Sequence, residues 1–251
     1  MFNDARDKGI PMRLLANTGF LFADLPFPER LAAASAAGFD GVEFHDEVQR
    51  HDASGIAAAL DELGLTVGGL NIRMGDSFGC AALPGHEADF IADLTAAHAA
   101  AVAVGAGAIH VLAGRGAGDE AVFRANLRRA LDATDRLILI EPICAEAVPG
   151  YHLSRLDHGL ELADLFGPRV RVMFDWFHAA TELGPQNAAE ALARHTALIG
   201  HVQAASCPGR NEPEPEVLHR FADTGCTAAG LEYRPLITPA DHLARLRAAG
   251  I

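Results

Sequence analysis

Eight short apolar runs alternate with eight longer Ala/Leu-rich stretches along 251 residues, and no other feature restricts the fold so tightly. The runs predict strands over 13–17, 41–44, 66–71, 108–112, 137–141, 170–175, 199–203 and 230–232. The stretches after them predict helices over 27–37, 55–63, 87–104, 120–133, 154–166, 187–195, 215–223 and 239–249. A strand that is apolar throughout is buried on both faces, the mark of a parallel sheet covered by helices. Eight βα units in a chain of this length fit one closed (β/α)8 TIM barrel, a single α/β domain. The competing arrangement is a doubly wound open sheet, but no GxGxxG turn follows the first strand. Several helices run into a glycine (AAGFDGVEF, ELGLTV, LFGPRV, DTGCTAAG), which accepts the left-handed backbone that ends a helix.

The barrel is expected over 12–251, with 1–11 as a polar N-terminal extension. That extension carries the only lysine, Lys8. Schiff-base chemistry needs a lysine in a desolvated pocket, so lysine-dependent aldolase or decarboxylase activity is excluded. The net charge of −13 argues against a nucleic-acid partner, which calls for clustered Lys and Arg. Cys80, Cys144, Cys207 and Cys226 are scattered without a CxxC pair, which fits a reduced compartment and no thiolate zinc site. The start, MFNDARDKGIPMRL, lacks the apolar core of a secretion signal, and no apolar stretch reaches membrane-spanning length. The expectation is a cytoplasmic protein without a membrane partner; an assembly of like copies is compatible with the sequence.

Four consecutive predicted strands close on a polar residue: Glu141 in LILIEP, Asp175 in VRVMFD, Gln203 in LIGHVQ and Glu232 in AGLEYRP. They follow one another at 34, 28 and 29 residues, about one βα unit each. At the carboxyl end of a barrel strand such a side chain projects into the mouth, where barrel enzymes do chemistry. Taken singly, an acid after a strand is often just the start of a solvated loop. Four in succession, behind apolar runs, predict a meeting point of three carboxylates and one amide oxygen. That donor set suits one hard divalent cation, Mg²⁺ or Mn²⁺. A cation there would polarise adjacent substrate oxygens, and Glu141 and Glu232, on the fifth and eighth strands, are candidates to move a proton between neighbouring carbons.

The chain resembles the hydroxypyruvate isomerase family, within the wider xylose-isomerase-like group of barrels. The resemblance runs from about Leu14 to Pro235 and is carried most specifically by ILIEPI with PGYHL, MFDWFH, GHVQ with PGRNEP, and LEYRP. It implies Glu141, Asp175, Gln203 and Glu232 as metal ligands, with Glu141 and Glu232 transferring the proton. The implied reaction resembles hydroxypyruvate to tartronate semialdehyde, or isomerisation of a 2-oxo-tetronate or another short sugar acid. Three places depart from the family pattern. Cys144 follows EPI where asparagine is common, Ser206 follows HVQAA where aspartate is common, and within the loop 208–216 the segment after PGR, NEPEPEV, is shortened and lacks the usual glycines. These changes leave the quartet intact and alter the pocket lining.

Further candidates lie nearby. Arg210, in CPGRNEP, is placed to clamp a substrate carboxylate, with Glu212 as its alternative partner. His178, three residues after Asp175, and His110, near the end of the fourth strand, are candidate substrate contacts. Glu43, His45 and Asn71 close strands two and three. Trp176 and Phe22 are expected to pack in the core, with a place in the pocket wall as the alternative, and His201 is expected to be structural. A keto-sugar 3-epimerase using the same quartet is the nearest alternative. A non-catalytic sugar-binding barrel would leave buried acids without purpose. An apurinic endonuclease would need histidines for a zinc cluster, and the sequence does not gather histidines at the strand ends.

Overall fold

Side-chain alternation explains how each strand serves two environments. The computed structural model describes residues 12–251, so the expected extension over 1–11 lies outside the described residues. Eight parallel strands run β1 (Arg13–Asn17), β2 (Gly41–Phe44), β3 (Thr66–Asn71), β4 (Ala108–His110), β5 (Leu137–Ile140), β6 (Val170–Asp175), β7 (Ile199–Ala204) and β8 (Ala228–Leu231). They close in sequence order, with β8 pairing β1. On β5, Ile138 and Ile140 pack outward into the main core against the helices. Leu139 packs inside the barrel with Ala108 and Met173, and Leu137 joins them. The next inward position, just past the end of β5, is Glu141. By the same parity Met173 leads to Asp175, and His201 to Gln203. Each buried Leu or Ile contributes roughly 1.5–3 kcal/mol, so two or three per strand outweigh the roughly 1–3 kcal/mol cost of a buried polar end.

The helices are α1 (Phe27–Ala37), α2 (Ala53–Leu63), α3 (Glu87–Val104), α4 (Glu120–Ala133), α5 (Leu156–Phe166), α6 (Trp176–Leu183), α7 (Pro185–Arg194), α8 (Pro215–Asp223) and α9 (Pro239–Ala248). Gly38 and Gly64 end α1 and α2 with φ of 91° and 67°, the left-handed cap expected from the sequence.

One element departs from the expectation. The sequence predicts no helix between Asp175 and 187, yet α6 begins directly after Asp175. The cause is local: the Asp175 carboxylate caps the new helix, accepting from the backbone N–H of Phe177 at 2.7 Å and of His178 at 3.4 Å. Gly184, at φ 80°, then separates α6 from α7, which starts at Pro185 rather than 187. Strand limits also shift: β5 ends at Ile140, β4 at His110 and β8 at Leu231, so Glu141, Leu112 and Glu232 stand just beyond their strands.

Candidate active site

At the carboxyl end of the barrel, the strand ends enclose a cavity of about 630 Å³. Glu141, Gln203 and Glu232 line it, together with His45, Asn71, His110, His178 and Arg210. Asp175 adjoins them and is 3% exposed. The strand pairing brings these ends level: Asp175 stands opposite Gln203, and Asn71 opposite His110.

Arg210 organises the charges. Its Nη2 donates to Asp175 Oδ2 and to Glu232 Oε1, both at 2.9 Å, so one nitrogen stands between the two carboxylates. Its Nη1 donates to His178 Nε2 at 2.8 Å. The guanidinium carbon lies 4.9 Å from the Phe20 ring centre and 5.0 Å from that of Phe177. Arg210 is therefore buried, not an exposed group on a free loop. The loop holds it there: Arg210 takes a left-handed φ of 53°, its N–H donates to the Ser206 carbonyl, and its own carbonyl accepts from Arg234 N. Burial opposes the Arg210 charge, but Asp175, Glu232 and Glu141 raise its pKa further above the ordinary value. Glu212 does not pair with it. Glu212 accepts instead from the N–H groups of Leu236 and Ile237, tying the loop after β7 to the loop after β8.

The histidines divide into distinct states. Because Arg210 can only donate, His178 Nε2 must accept, and its proton sits on Nδ1 facing Cys144 Sγ at 3.2 Å. The thiol that replaces the common asparagine thus orients His178. Burial, with Arg210 and His110 nearby, lowers the His178 pKa to about 4 against the pull of Asp175. His110 is held at Nδ1 by Asn71 Oδ1 at 3.0 Å, and its Nε2 is buried without a partner, 3.6 Å from Glu141 Oε2. Burial, then His45 and His201, lowers its pKa to about 3. His45 behaves oppositely: burial works against its charge, but Glu232, 3.7 Å away, and Glu47 and Glu43 outweigh it and raise the pKa. Burial and the charges of Glu232 and Asp175 push Glu141 well above the usual carboxylate range.

The residues present fit a cation. Glu141 Oε1 and Gln203 Oε1 are buried acceptors with no hydrogen-bond partner, a costly arrangement unless something positive meets them. Among the described residues, Glu141, Asp175 and His178 form a group whose donor atoms all lie within 4.8 Å of one another. His178 here joins the expected oxygen donors, while Arg210 stands at Glu232. The pocket also brings together His45 after β2, His110 at the end of β4 and His178 in α6, a gathering of histidines that the sequence pattern does not reveal. Trp176 and Phe22 pack as expected, Trp176 on Phe221 and Phe22 on Phe39, while Phe20 and Phe177 line the cavity. Gln203 Nε2 also donates to Glu43 Oε1 at 2.7 Å, a tie not expected from the sequence. Their separation of 160 residues hides that contact from any local pattern.

The model of the family described as xylose isomerase-like TIM barrel matches residues 31–246. A 2-oxo-tetronate isomerase of Cupriavidus necator is 36% identical over 89% of this chain and 93% of its own length. A Drosophila melanogaster protein provisionally named hydroxypyruvate isomerase is 30% identical over 92% of this chain and 96% of its own. Among solved structures, a protein of Brucella melitensis titled AP endonuclease, family 2, superposes with a TM-score of 0.87 at 29% identity, covering 94% of this chain and 98% of that one. The apo 3-keto-D-glucoside 4-epimerase of E. coli shares the fold, with a TM-score of 0.77 at 20% identity over 94% of this chain and 99% of its own.

Proposed function

The chain belongs to the xylose isomerase-like TIM barrel family, and from that premise we propose that it is a metal-dependent isomerase of a short hydroxy-oxo acid. The substrate is hydroxypyruvate, converted to tartronate semialdehyde, or a 2-oxo-tetronate. The isomerase class is that of the named relatives, which the chain matches over most of its length. A cavity of about 630 Å³ has room for the four-carbon acid as well as the three-carbon one.

The single observation that carries the metal reading is the pair of buried, unpartnered oxygens on Glu141 and Gln203 beside Asp175 and Glu232. Glu141, Asp175, Gln203 and Glu232 would hold one Mg²⁺ or Mn²⁺. When bound, that ion supplies Lewis-acid polarisation of the substrate's adjacent oxygens. Glu141 and Glu232 reach the cavity from β5 and β8, on different sides of the mouth. One removes the proton from the hydroxyl-bearing carbon, the other supplies a proton to the neighbouring carbonyl carbon, and the hydroxyl proton passes to the former carbonyl oxygen, through an enediolate. Arg210 still has an unpaired Nε–H for a substrate oxygen. His178, neutral and fixed between Arg210 and Cys144, holds the guanidinium in place beside the substrate, and His110 Nε2 accepts from a hydroxyl. Phe20 and Phe177 keep water from the reacting centre.

A keto-sugar 3-epimerase would use the same residues and differ only in the carbon that is reprotonated. The endonuclease reading is disfavoured by the chain's charge of −13, opposite to what backbone phosphates require. It is disfavoured too by the lining: of three gathered histidines, only His178 joins a group of close donor atoms among the described residues.

Activity after chelation tests the proposal. Dialysis against a chelator is expected to abolish turnover of hydroxypyruvate and a 2-oxo-tetronate, and Mn²⁺ or Mg²⁺ to restore it. Full activity after chelation, or no turnover of any short hydroxy-oxo acid with metal present, contradicts it.

A further inference from the structure

Beneath the cavity the barrel interior holds a carboxylate to which the proposed reaction gives no part. Glu43, 4% exposed, follows Val42 on β2 and turns inward. His201 Nε2 meets its Oε2 at 2.6 Å. Its Oε1 accepts from Gln203 Nε2 at 2.7 Å and from Asn17 Nδ2 at 3.2 Å. Gly230, paired with Gln203 across β7 and β8, leaves the space this carboxylate fills: a Cβ there would stand 2.2 Å from Glu43 Oε1.

A primary amide has a donating end and an accepting end, and nothing in its shape decides which faces where. An ionised carboxylate accepts only. In a buried setting, turning the Gln203 oxygen toward Glu43 would set acceptor against acceptor and lose a charge-assisted bond. The amide is thus forced one way, with Nε2 down and Oε1 up. That Oε1 is the buried atom left without a partner beside Glu141.

We propose that Glu43 is a positioning residue that sets the Gln203 amide so that its carbonyl oxygen faces the cation, with His201 as the partner that keeps Glu43 in place. This rests on the metal reading above. Glu43 touches neither substrate nor ion and acts only through Gln203.

Mn²⁺ uptake, followed by the loss of the free-ion signal in electron paramagnetic resonance, tests this without turnover. Glu43→Gln keeps the shape but can donate, so the Gln203 amide is free to reverse. Its Mn²⁺ dissociation constant is expected to rise about 10- to 100-fold, the range for a lost partner behind a metal ligand. Gly230→Ala keeps the carboxylate but drives it off position, so it should weaken Mn²⁺ in the same direction; it also serves if Glu43→Gln fails to fold. In a Gln203→Ala background, Glu43→Gln is expected to change Mn²⁺ affinity by less than twofold, which a general structural defect would not reproduce. Wild-type affinity in both Glu43→Gln and Gly230→Ala overturns the inference, as does a full further loss in the Gln203→Ala background. A wild-type chain that takes up no Mn²⁺ overturns the metal reading itself, and this inference with it.

Discussion

Glu141→Gln is expected to reduce exchange of the substrate's carbon-bound proton with solvent deuterium by about 10²–10⁴-fold, the usual contribution of a positioned acid or base. The substitution is nearly isosteric, so the cavity keeps its shape. What changes is that an amide cannot accept and return a proton. Glu141 is buried at 5% exposure, with Oε1 unpartnered and Oε2 facing the lone pair of His110 at 3.6 Å. Because Glu141 is also a proposed ligand, the same variant should bind Mn²⁺ more weakly, so exchange is to be compared at saturating metal. Exchange near the wild-type rate under those conditions would contradict the assignment of Glu141 as a proton carrier.

Arg210→Ala has the second largest expected effect. The guanidinium makes three hydrogen bonds, to the carboxylates of Asp175 and Glu232 and to neutral His178, and still has Nε–H to offer. A hydrogen bond to a charged group is worth roughly 1.5–3 kcal/mol, so its loss should cost about 10- to 100-fold in kcat/KM for a carboxylated substrate, chiefly through KM. Removing the cation also leaves Asp175 and Glu232 closer to mutual repulsion, which harms every substrate alike. The clamp is therefore read in the ratio: a carboxylated acid should suffer more than a neutral ketose of similar length. Equal losses for both would mean that Arg210 only balances the site's charge.

The barrel was legible because its signals are local and repeated. Each apolar run is long enough to bury a strand, and each stop at Gly38 or Gly64 is written in a few residues. The parity that turns Glu141, Asp175 and Gln203 inward is equally local: it follows from Leu139, Met173 and His201 two positions earlier. Helix α6 escapes the sequence pattern because Asp175 there marks a strand end, while in the structure the same carboxylate caps a helix with Oδ1 and meets Arg210 with Oδ2. Arg210 was visible as a residue type but not as a buried one, since its place depends on a loop pinned through Ser206, Asn211 and Arg234. The gathering of His45, His110 and His178 joins three separate βα units, and Glu43 meets His201 across 158 residues. Contacts of that range arise from barrel closure, and no window of sequence contains them.

One place in the barrel mouth decides the chemistry, and a crystal of the Mn²⁺-loaded protein, measured at the manganese absorption edge, locates the ion directly. The expected result is a single anomalous peak with oxygens of Glu141, Asp175, Gln203 and Glu232 at about 2.0–2.6 Å, and with Arg210 Nη2 no longer between Asp175 and Glu232. An empty mouth at saturating Mn²⁺, or a peak ligated by other residues, would contradict the account.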